Sequence, residues 1–459
     1  MPKLTTTPRP TWRSLALVLV AAAAFSSPCS AASAQNLSNT LFATVVSNLA
    51  ESAKLSWELG TRSQALLELN APAYSVLTSS AKLPPSSSLS SSANASLAPV
   101  LSIAQAIVAN RSTSNGGVTG PQALINDSAA GDPASIGMAV LLANWTGQGK
   151  ADGLDYAGAA TDQLNWLYSP SVPKTADGAI SHRTDQLQLW SDSVYMVPPF
   201  LAYYGALTGN QTLLTEAYTQ VSLYRSYLQD TNASAHGVWH HVVLGQGADY
   251  GHWSTGNAWA AAGMLRVLGT IQNSAFAKPL AAQQTDLAHW AGEVLGGMYA
   301  LLDATAVFKN YPDQDLAPAD AAAGVGGNFY DAAGTALLAS AAYRLSLLAG
   351  VHTYTAHAEA SRTALFATAA NSTQQHFTAG GWLTPVVNPN QYTFELDQSG
   401  GAGSPESAAF VVELDAAWRD WVAAGSKGAN GSARGVGIPE VGLWIGAGAG
   451  VVGWWVFGL

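Results

Sequence analysis

Residues 178–210 read GAISHRTDQLQLWSDSVYMVPPFLAYYGALTGN. From Gln186 to Leu207 the stretch is apolar and aromatic at helical spacing, and a Gly-Asn turn closes it. Positions 192, 196, 199 and 203 share one helical face, which carries Asp192, Met196, Pro199 and Tyr203. The pair Pro198-Pro199 predicts a kink or a restart of the helix. One carboxylate, Asp192, stands among Trp190, Tyr195 and Met196. A buried acid costs free energy unless something pairs with it or uses it. Two readings stay open for Asp192: a cap or first-turn acid favoured by the helix dipole, or a functional group.

Working outward, the same 3.6-residue period recurs along the chain. It is present in LFATVVSNLAESAKLSWEL, LAPVLSIAQAIVAN, ASIGMAVLLANW, QTLLTEAYTQVSLYRSYLQD, NAWAAAGMLRVLGTIQN, GTALLASAAYRLSLLAG and SPESAAFVVELDAAWRDWV. About eleven helical segments follow from it, and strand-like alternation is scarce. Helix-turn-helix units recur at about 40–60 residues, a rhythm that fits a solenoid or a closed ring of helical hairpins. Aromatic residues near the expected helix starts favour the ring, with a sugar-binding mouth.

The ends of the chain read as addresses. Lys3, Arg9 and Arg13 precede SLALVLVAAAAF and a small-residue stretch, which predicts a signal peptide over 1–34 with cleavage after Ala34. The only cysteine, Cys29, falls inside it, so no disulfide or cysteine metal site is expected in the mature chain. Residues 431–459 end in VGLWIGAGAGVVGWWVFGL behind the small triplet Asn430, Gly431, Ser432. That order predicts a GPI-type lipid-anchor attachment signal, and with it membrane or cell-wall attachment; a retained membrane helix and a buried C-terminal element are the alternatives. Nine Asn-x-Ser/Thr triplets, from Asn36 to Asn430, suggest surface glycans. Between the ends, residues 35–430 read as one globular domain, because the Ser-rich loop Pro84–Ser96 lies too near the start to divide it. A net charge of −10 with only 10% charged residues argues against nucleic-acid binding. The sequence gives no reading of oligomeric state.

Several polar residues stand beside aromatics. Asp132 begins DPASIGMAVLLANW, where Asp-Pro is also a strong helix-start signal. His182 and Arg183 precede Asp192; His240 and His241 follow Trp239; His252 and Trp253 open HWSTGNAW, which also holds Asn257 and Trp259. Such aromatics are as readily core as site. Their alternation with His and Asn suggests a carbohydrate cleft, in which Trp190, Trp253 and Trp259 stack on sugar faces and the His and Asn residues bind hydroxyls. On a strand the side chains of His240 and His241 would point apart, and neither HExxH nor cysteine spacing is present. No metal or cofactor is expected.

In order along the chain, His182-Arg183, QLWSDSVYMVPPFLAYYG, GVWHH, HWSTGNAWAAAGML, NFYDAAGTALLA and SPESAAFVVELDAAW resemble the unsaturated rhamnogalacturonyl hydrolases of glycoside hydrolase family 105. WSDSVYM and STGNAW are the most specific of these, and the resemblance spans most of residues 125–422. It implies an all-α (α/α)6 barrel of six helical hairpins with the site at one mouth. It further implies Asp192 as the catalytic aspartate, Asp132 as an assisting acid, and His182, His241 and Trp253 as sugar contacts, with Arg183 where a basic residue is common. Bacterial members of that family typically carry Arg before the Gly-Asn pair, where this chain has Thr255, which bears on how a substrate carboxylate is held. The implied reaction is hydration of the 4,5 double bond of an unsaturated uronyl-rhamnose fragment of pectin, without a metal. The alternatives are a conventional cell-wall glycan (mannan-type) hydrolase using Asp132 and Asp192 as a carboxylate pair, or a catalytically silent glycan-binding surface protein.

Overall fold

The computed structural model describes residues 36–78, 81–368 and 375–429. The predicted leader (1–34) and lipid-anchor tail (431–459) lie outside these residues, as do the triplets at Asn371 and Asn430. Thirteen α-helices are present among the described residues. The first six are α1 (Asn39–Ser52), α2 (Ser56–Asn70), α3 (Ser91–Ser114), α4 (Gly137–Trp145), the one-turn α5 (Gly149–Asp152) and α6 (Tyr156–Tyr168). Then come α7 (Ser193–Thr208), α8 (Gln211–Leu228), α9 (Ser254–Asn273), α10 (Ala281–Ala300), α11 (Ala332–Ala349), α12 (Thr355–Leu365) and α13 (Pro405–Ala423). A 3-10 turn, Asp132–Ile136, leads straight into α4. Among the described residues the only strands paired beyond isolated bridges are two-residue pieces, Leu189–Trp190 (β1) against Val242–Val243 (β2), antiparallel.

The helices form two concentric rings. The inner ring is α2, the 3-10 turn with α4, α7, α9, α11 and α13; each packs on the next, and α13 returns to α2. Outside it, α3 packs on α2 and α4, α6 on α4, α8 on α7, α10 on α9, α12 on α11 and α1 on α13. This is the six-hairpin α/α barrel. Residue type decides which ring a helix joins. An inner helix has neighbours on every side, so it is buried all round, mostly by apolar or small residues with a few paired polar ones: α9 is buried at every residue from Ser254 to Ile271. An outer helix buries one stripe, as α8 does with Leu214, Ala217, Val221, Tyr224 and Leu228, spaced three and four apart. The inner helices approach closely. A Cβ added at Gly263 of α9 would stand 2.2 Å from the Val194 carbonyl oxygen of α7, so only glycine fits there.

Two local expectations need revision. Of the kink or restart expected at Pro198-Pro199, the restart does not occur: α7 runs through both prolines. Pro199 leaves the Tyr195 carbonyl without its usual intrahelical donor, and Nη1 of the buried Arg266 on α9 donates to it instead at 2.8 Å. The run LFATVVSNLAESAKLSWEL is two helices rather than one. The Glu58 carboxylate folds back to accept from the Lys54 and Leu55 amides at 2.8 and 2.9 Å, and this starts α2 afresh.

The connectivity has a functional consequence. Inner helices alternate in sequence with outer ones that run back, so the amino ends of the inner helices gather at one mouth of the barrel.

Candidate active site

A cavity of roughly 260 Å³ opens at that mouth. Its lining comes from the first turns of inner helices and the loops before them. Trp57 lies at the start of α2, Asp132 opens the 3-10 turn, Asp192 immediately precedes α7, Trp253 precedes α9, and Glu406 lies in the first turn of α13. Asp127, His182, Arg183, Trp190, Met196, Trp259, Asn390 and Tyr392 are also part of it. Each inner-helix amino end carries partial positive charge from unpaired N–H groups, which explains why acids collect here.

Neither central aspartate caps its helix. Asp192 occupies the N-cap position of α7 yet makes no side-chain cap bond, and neither does Asp132 or Gly131 at the start of the 3-10 turn. The Asp192 side chain is 14% exposed. Its Oδ2 accepts from Ser191 Oγ at 3.2 Å and stands 3.7 Å from His241 Nε2. Burial pushes its carboxyl above the ordinary value. Asp132 Oδ1 lies 3.7 Å from His182 Nε2. Burial first, then the charges of Asp127 and Asp192, push the Asp132 carboxyl well above its ordinary value.

The two histidines are held from behind. His182 Nδ1 bonds Ser193 Oγ at 3.1 Å, and its ring stacks on Trp190 with centroids 4.6 Å apart. Burial, with Arg183 and His241 nearby, lowers its pKa to about 3, so it is neutral. His241 Nδ1 is 3.0 Å from Asp249 Oδ2. Burial pushes the Asp249 carboxyl up, but its bonds from His241, Tyr311 and the Gly251 amide outweigh this and hold it below the ordinary value. An ionised Asp249 fixes the proton of His241 on Nδ1 and turns Nε2 toward Asp192. That Nε2 is buried and makes no hydrogen bond among the described residues. The Trp253 and Tyr392 rings pack on His241, each with centroids 4.4 Å away.

Of the residues singled out from sequence, Asp132, Asp192, His182, Arg183, Trp190, Trp253 and Trp259 line the cleft, and His241 backs Asp192. Three stand elsewhere. Asn257 is fully buried, and its amide is spent on the Trp239 amide and the carbonyls of Trp239 and Trp253. His240 and His252 stack on each other beside Asp230, outside the cleft. His240 and His241, which lie just before β2, face different sides: His240 packs on His252 beside Asp230, and His241 faces Asp192. Thr255 is also away from the cleft: it is buried and donates to Asp331 Oδ2 at 2.6 Å, while Asp331 caps α11. The departure from the family-105 pattern therefore falls on a helix-to-helix link.

Sequence reading missed Trp57, Asp127, Asn390, Tyr392 and Glu406. Glu406 carried the same helix-start disguise as Asp132, with Ser404 as cap and Pro405 at the first position. It is buried; Oε2 accepts from Trp57 Nε1 at 3.1 Å, and Oε1 has no partner among the described residues. Burial, then Asp192, Asp331 and Glu58, push its carboxyl well above the ordinary value.

The raised acids make a testable stability signature. Where the folded state holds a proton that the unfolded chain releases, stability is greatest at low pH and is lost as pH rises through the folded value. Asp132 is such a group, starting from an ordinary value of 3.8. Asp132→Asn removes that loss. Thermal melts should show the variant more stable than the parent by about 0.5–2 kcal/mol near pH 8, with the gap closing toward pH 4. An equal gap at both pH values contradicts a protonated Asp132.

Fold and site together define a class, the helical-barrel glycosidases with buried acids at the barrel mouth. The family model described as Glycosyl Hydrolase Family 88 matches residues 109–287, the segment that holds Asp132, Asp192, His241 and Trp253. Over that segment, less than half of its length, the chain is similar to glycosyl hydrolase family 88, and it is a glycoside hydrolase, a class that acts on oligosaccharides. Similar solved structures include a possible member of glycoside hydrolase family 105 from Klebsiella pneumoniae, 14% identical with a TM-score of 0.58 over 84% of this chain and 94% of that one. Another possible member, from Salmonella enterica serovar Paratyphi A, is 14% identical with a TM-score of 0.57 over 83% and 93%. An α-1,6-mannanase of family 76 from Salegentibacter is 13% identical with a TM-score of 0.51 over 82% and 99%. At these identities the likeness speaks for the fold. No curated protein sequence matches the chain.

Proposed function

We propose that this glycoside hydrolase removes a 4,5-unsaturated uronyl residue from the non-reducing end of a pectin-derived fragment, with rhamnose as the released neighbour. The observation that carries the reading is the placement of the two central acids: both line the cleft at the mouth, both are largely buried, and burial raises both carboxyls above the ordinary value, which suits a proton donor. A conventional pair needs one ionised carboxylate as base or nucleophile. A hydration needs a proton donor first. Asp192 gives its proton to C4, positive charge develops at C5, and water adds there while the Asp192 carboxylate takes a proton from it. The C5 hemiketal opens by breaking its bond to the ring oxygen, which leaves a hemiacetal at C1. That hemiacetal expels the neighbouring sugar as an alcohol and becomes an aldehyde.

The substrate carboxylate meets Arg183, the only Lys or Arg among the lining residues, and the amino ends of the inner helices. Trp190, Trp253 and Tyr392 supply aromatic surface around the reacting sugar. Incubation with unsaturated rhamnogalacturonan disaccharide should erase the ultraviolet absorbance of the conjugated double bond. Persistence of that absorbance, with sugar released from saturated mannan instead, overturns the reading.

One observation favours that second reading. Four carboxyls, from Asp127, Asp132, Asp192 and Glu406, line the cleft with a single Arg, a balance that suits a neutral glycan. Against it, the family 76 mannanase has an inactive form in which two adjacent aspartates are changed to asparagine. No two aspartates are adjacent in this chain.

We also propose secretion and a surface anchor, from the leader and tail patterns. The seven described Asn-x-Ser/Thr asparagines, at 36, 94, 110, 126, 144, 210 and 232, are all exposed, which supports glycan attachment.

A further inference from the structure

We infer that Asp230, His240 and His252 bind one divalent transition-metal ion of the zinc type, about the base of the hairpin that carries His241. This cluster lies outside the cleft and takes no part in the reaction above. Asp230 follows the end of α8, His240 lies just before β2, and His252 lies two residues before α9. One oxygen, Asp230 Oδ2, is 3.2 Å from His252 Nε2 and 4.0 Å from His240 Nε2. The three ligand atoms all fall within 4.8 Å of one another.

The far side of each ring adds a second, independent observation. His240 Nδ1 is 2.7 Å from the Tyr250 carbonyl oxygen, which can only accept, so this nitrogen holds the ring proton. His252 Nδ1 is 2.7 Å from Asp313 Oδ2. In neutral rings both Nε2 lone pairs then face the same carboxylate oxygen. Three electron-rich atoms aimed at one point repel each other, and a cation at that point reverses the sign. A metal-bound histidine usually has its other ring nitrogen held in this way, by a carboxylate or a backbone carbonyl. The rings are stacked, 5.5 Å between centroids and 15° between planes.

The donor set chooses the ion. Two imidazoles and one carboxylate suit zinc and its transition-metal neighbours, whereas calcium and magnesium prefer oxygen. Bonds of about 2.0–2.2 Å need ligand atoms about 3.4 Å apart, so the set closes by side-chain shifts of about an ångström. Asp230 and His240 have side chains 17% and 18% exposed, which gives an ion a path in and leaves a position for water. The ion would tie the end of α8 to the hairpin. The His240 amide already donates to the Leu228 carbonyl at 2.8 Å, and the next residue, His241, faces Asp192. The site thus supports the positioning of His241 from outside the cleft.

The test uses the full chain without an affinity tag, stripped with a chelator and titrated calorimetrically with Zn2+. One ion per chain is expected, and Co2+ should give the visible absorption of a low-coordinate nitrogen-oxygen site. Zn2+ at about 100 times its Kd should raise Tm by about 2–4 °C. Asp313→Asn, which touches no ion, should weaken binding about 10–100-fold. A His240→Gln/His252→Gln double variant, checked for helical content by circular dichroism, should lose the site. Equal binding by that variant, or no binding by the parent chain because His252 simply carries a proton between its two carboxylates, overturns the inference.

Discussion

Asp192→Asn is expected to lower kcat by about 10²–10⁴-fold, the usual contribution of a positioned general acid. The substituted amide keeps the shape of the side chain and can still accept from Ser191, but it has no acidic proton to give. KM for the unsaturated disaccharide should change little, because the sugar-stacking surfaces of Trp190, Trp253 and Tyr392 are untouched. Tm should not fall: the substitution removes a carboxyl that burial keeps from ionising freely. Steady-state kinetics by loss of ultraviolet absorbance, with thermal melts beside them, check both parts. Activity within tenfold of the parent would remove Asp192 from the role assigned to it. The pH profile adds a sign. A general acid works while protonated, so the rate should fall as pH rises through the raised value of Asp192, at a higher pH than an ordinary aspartate would give.

The second large effect concerns the ring itself. Arg344 of α11 donates through Nε and Nη2 to Glu68 Oε2 of α2, at 3.1 and 2.6 Å, and through Nη1 to Asp420 of α13 at 2.5 Å. Its side chain is 3% exposed and that of Glu68 only 1%. This latch sits at the seam where the first inner helix meets the last. Arg344→Met leaves the Glu68 charge buried and unpaired, and removes a charge that offsets the neighbouring Glu413. A loss of about 3–5 kcal/mol is expected, read as a lower denaturant midpoint at unchanged slope. Adding Glu68→Met should recover most of it, since an apolar pair of similar size replaces the ion pair. A single variant as stable as the parent would show that the seam does not depend on the latch.

These two cases mark different depths of legibility. Asp192 was visible in the sequence because an acid inside an apolar run is costly wherever the run folds, and its neighbours resemble a known family. Arg344 was not. It lies in GTALLASAAYRLSLLAG, where one arginine reads as the exposed edge of an ordinary helix, and its partners are 276 and 76 residues away. Glu406 was hidden differently. Ser404-Pro405-Glu406 is a complete helix-start signal, and no local feature says that the carboxylate turns to Trp57 instead of toward solvent. The cleft lies at the inner-helix starts, so a cap and a site acid occupy the same kind of position. The histidines show the opposite error. Sequence proximity placed His240, His241 and His252 in one cleft, whereas the fold puts only His241 behind Asp192 and turns the other two toward Asp230.

By itself the sequence determined the helices, because apolar period and turn residues act over a few positions, and it singled out Asp192 as an acid in an apolar run while leaving a cap and a functional reading both open. Only the tertiary structure decided which acids meet. Ring closure brings the amino ends of inner helices from Trp57 to Glu406 to one mouth, where burial, rather than any residue's own chemistry, raises the carboxyls of Asp132, Asp192 and Glu406, with like-charge repulsion adding at Asp132 and Glu406.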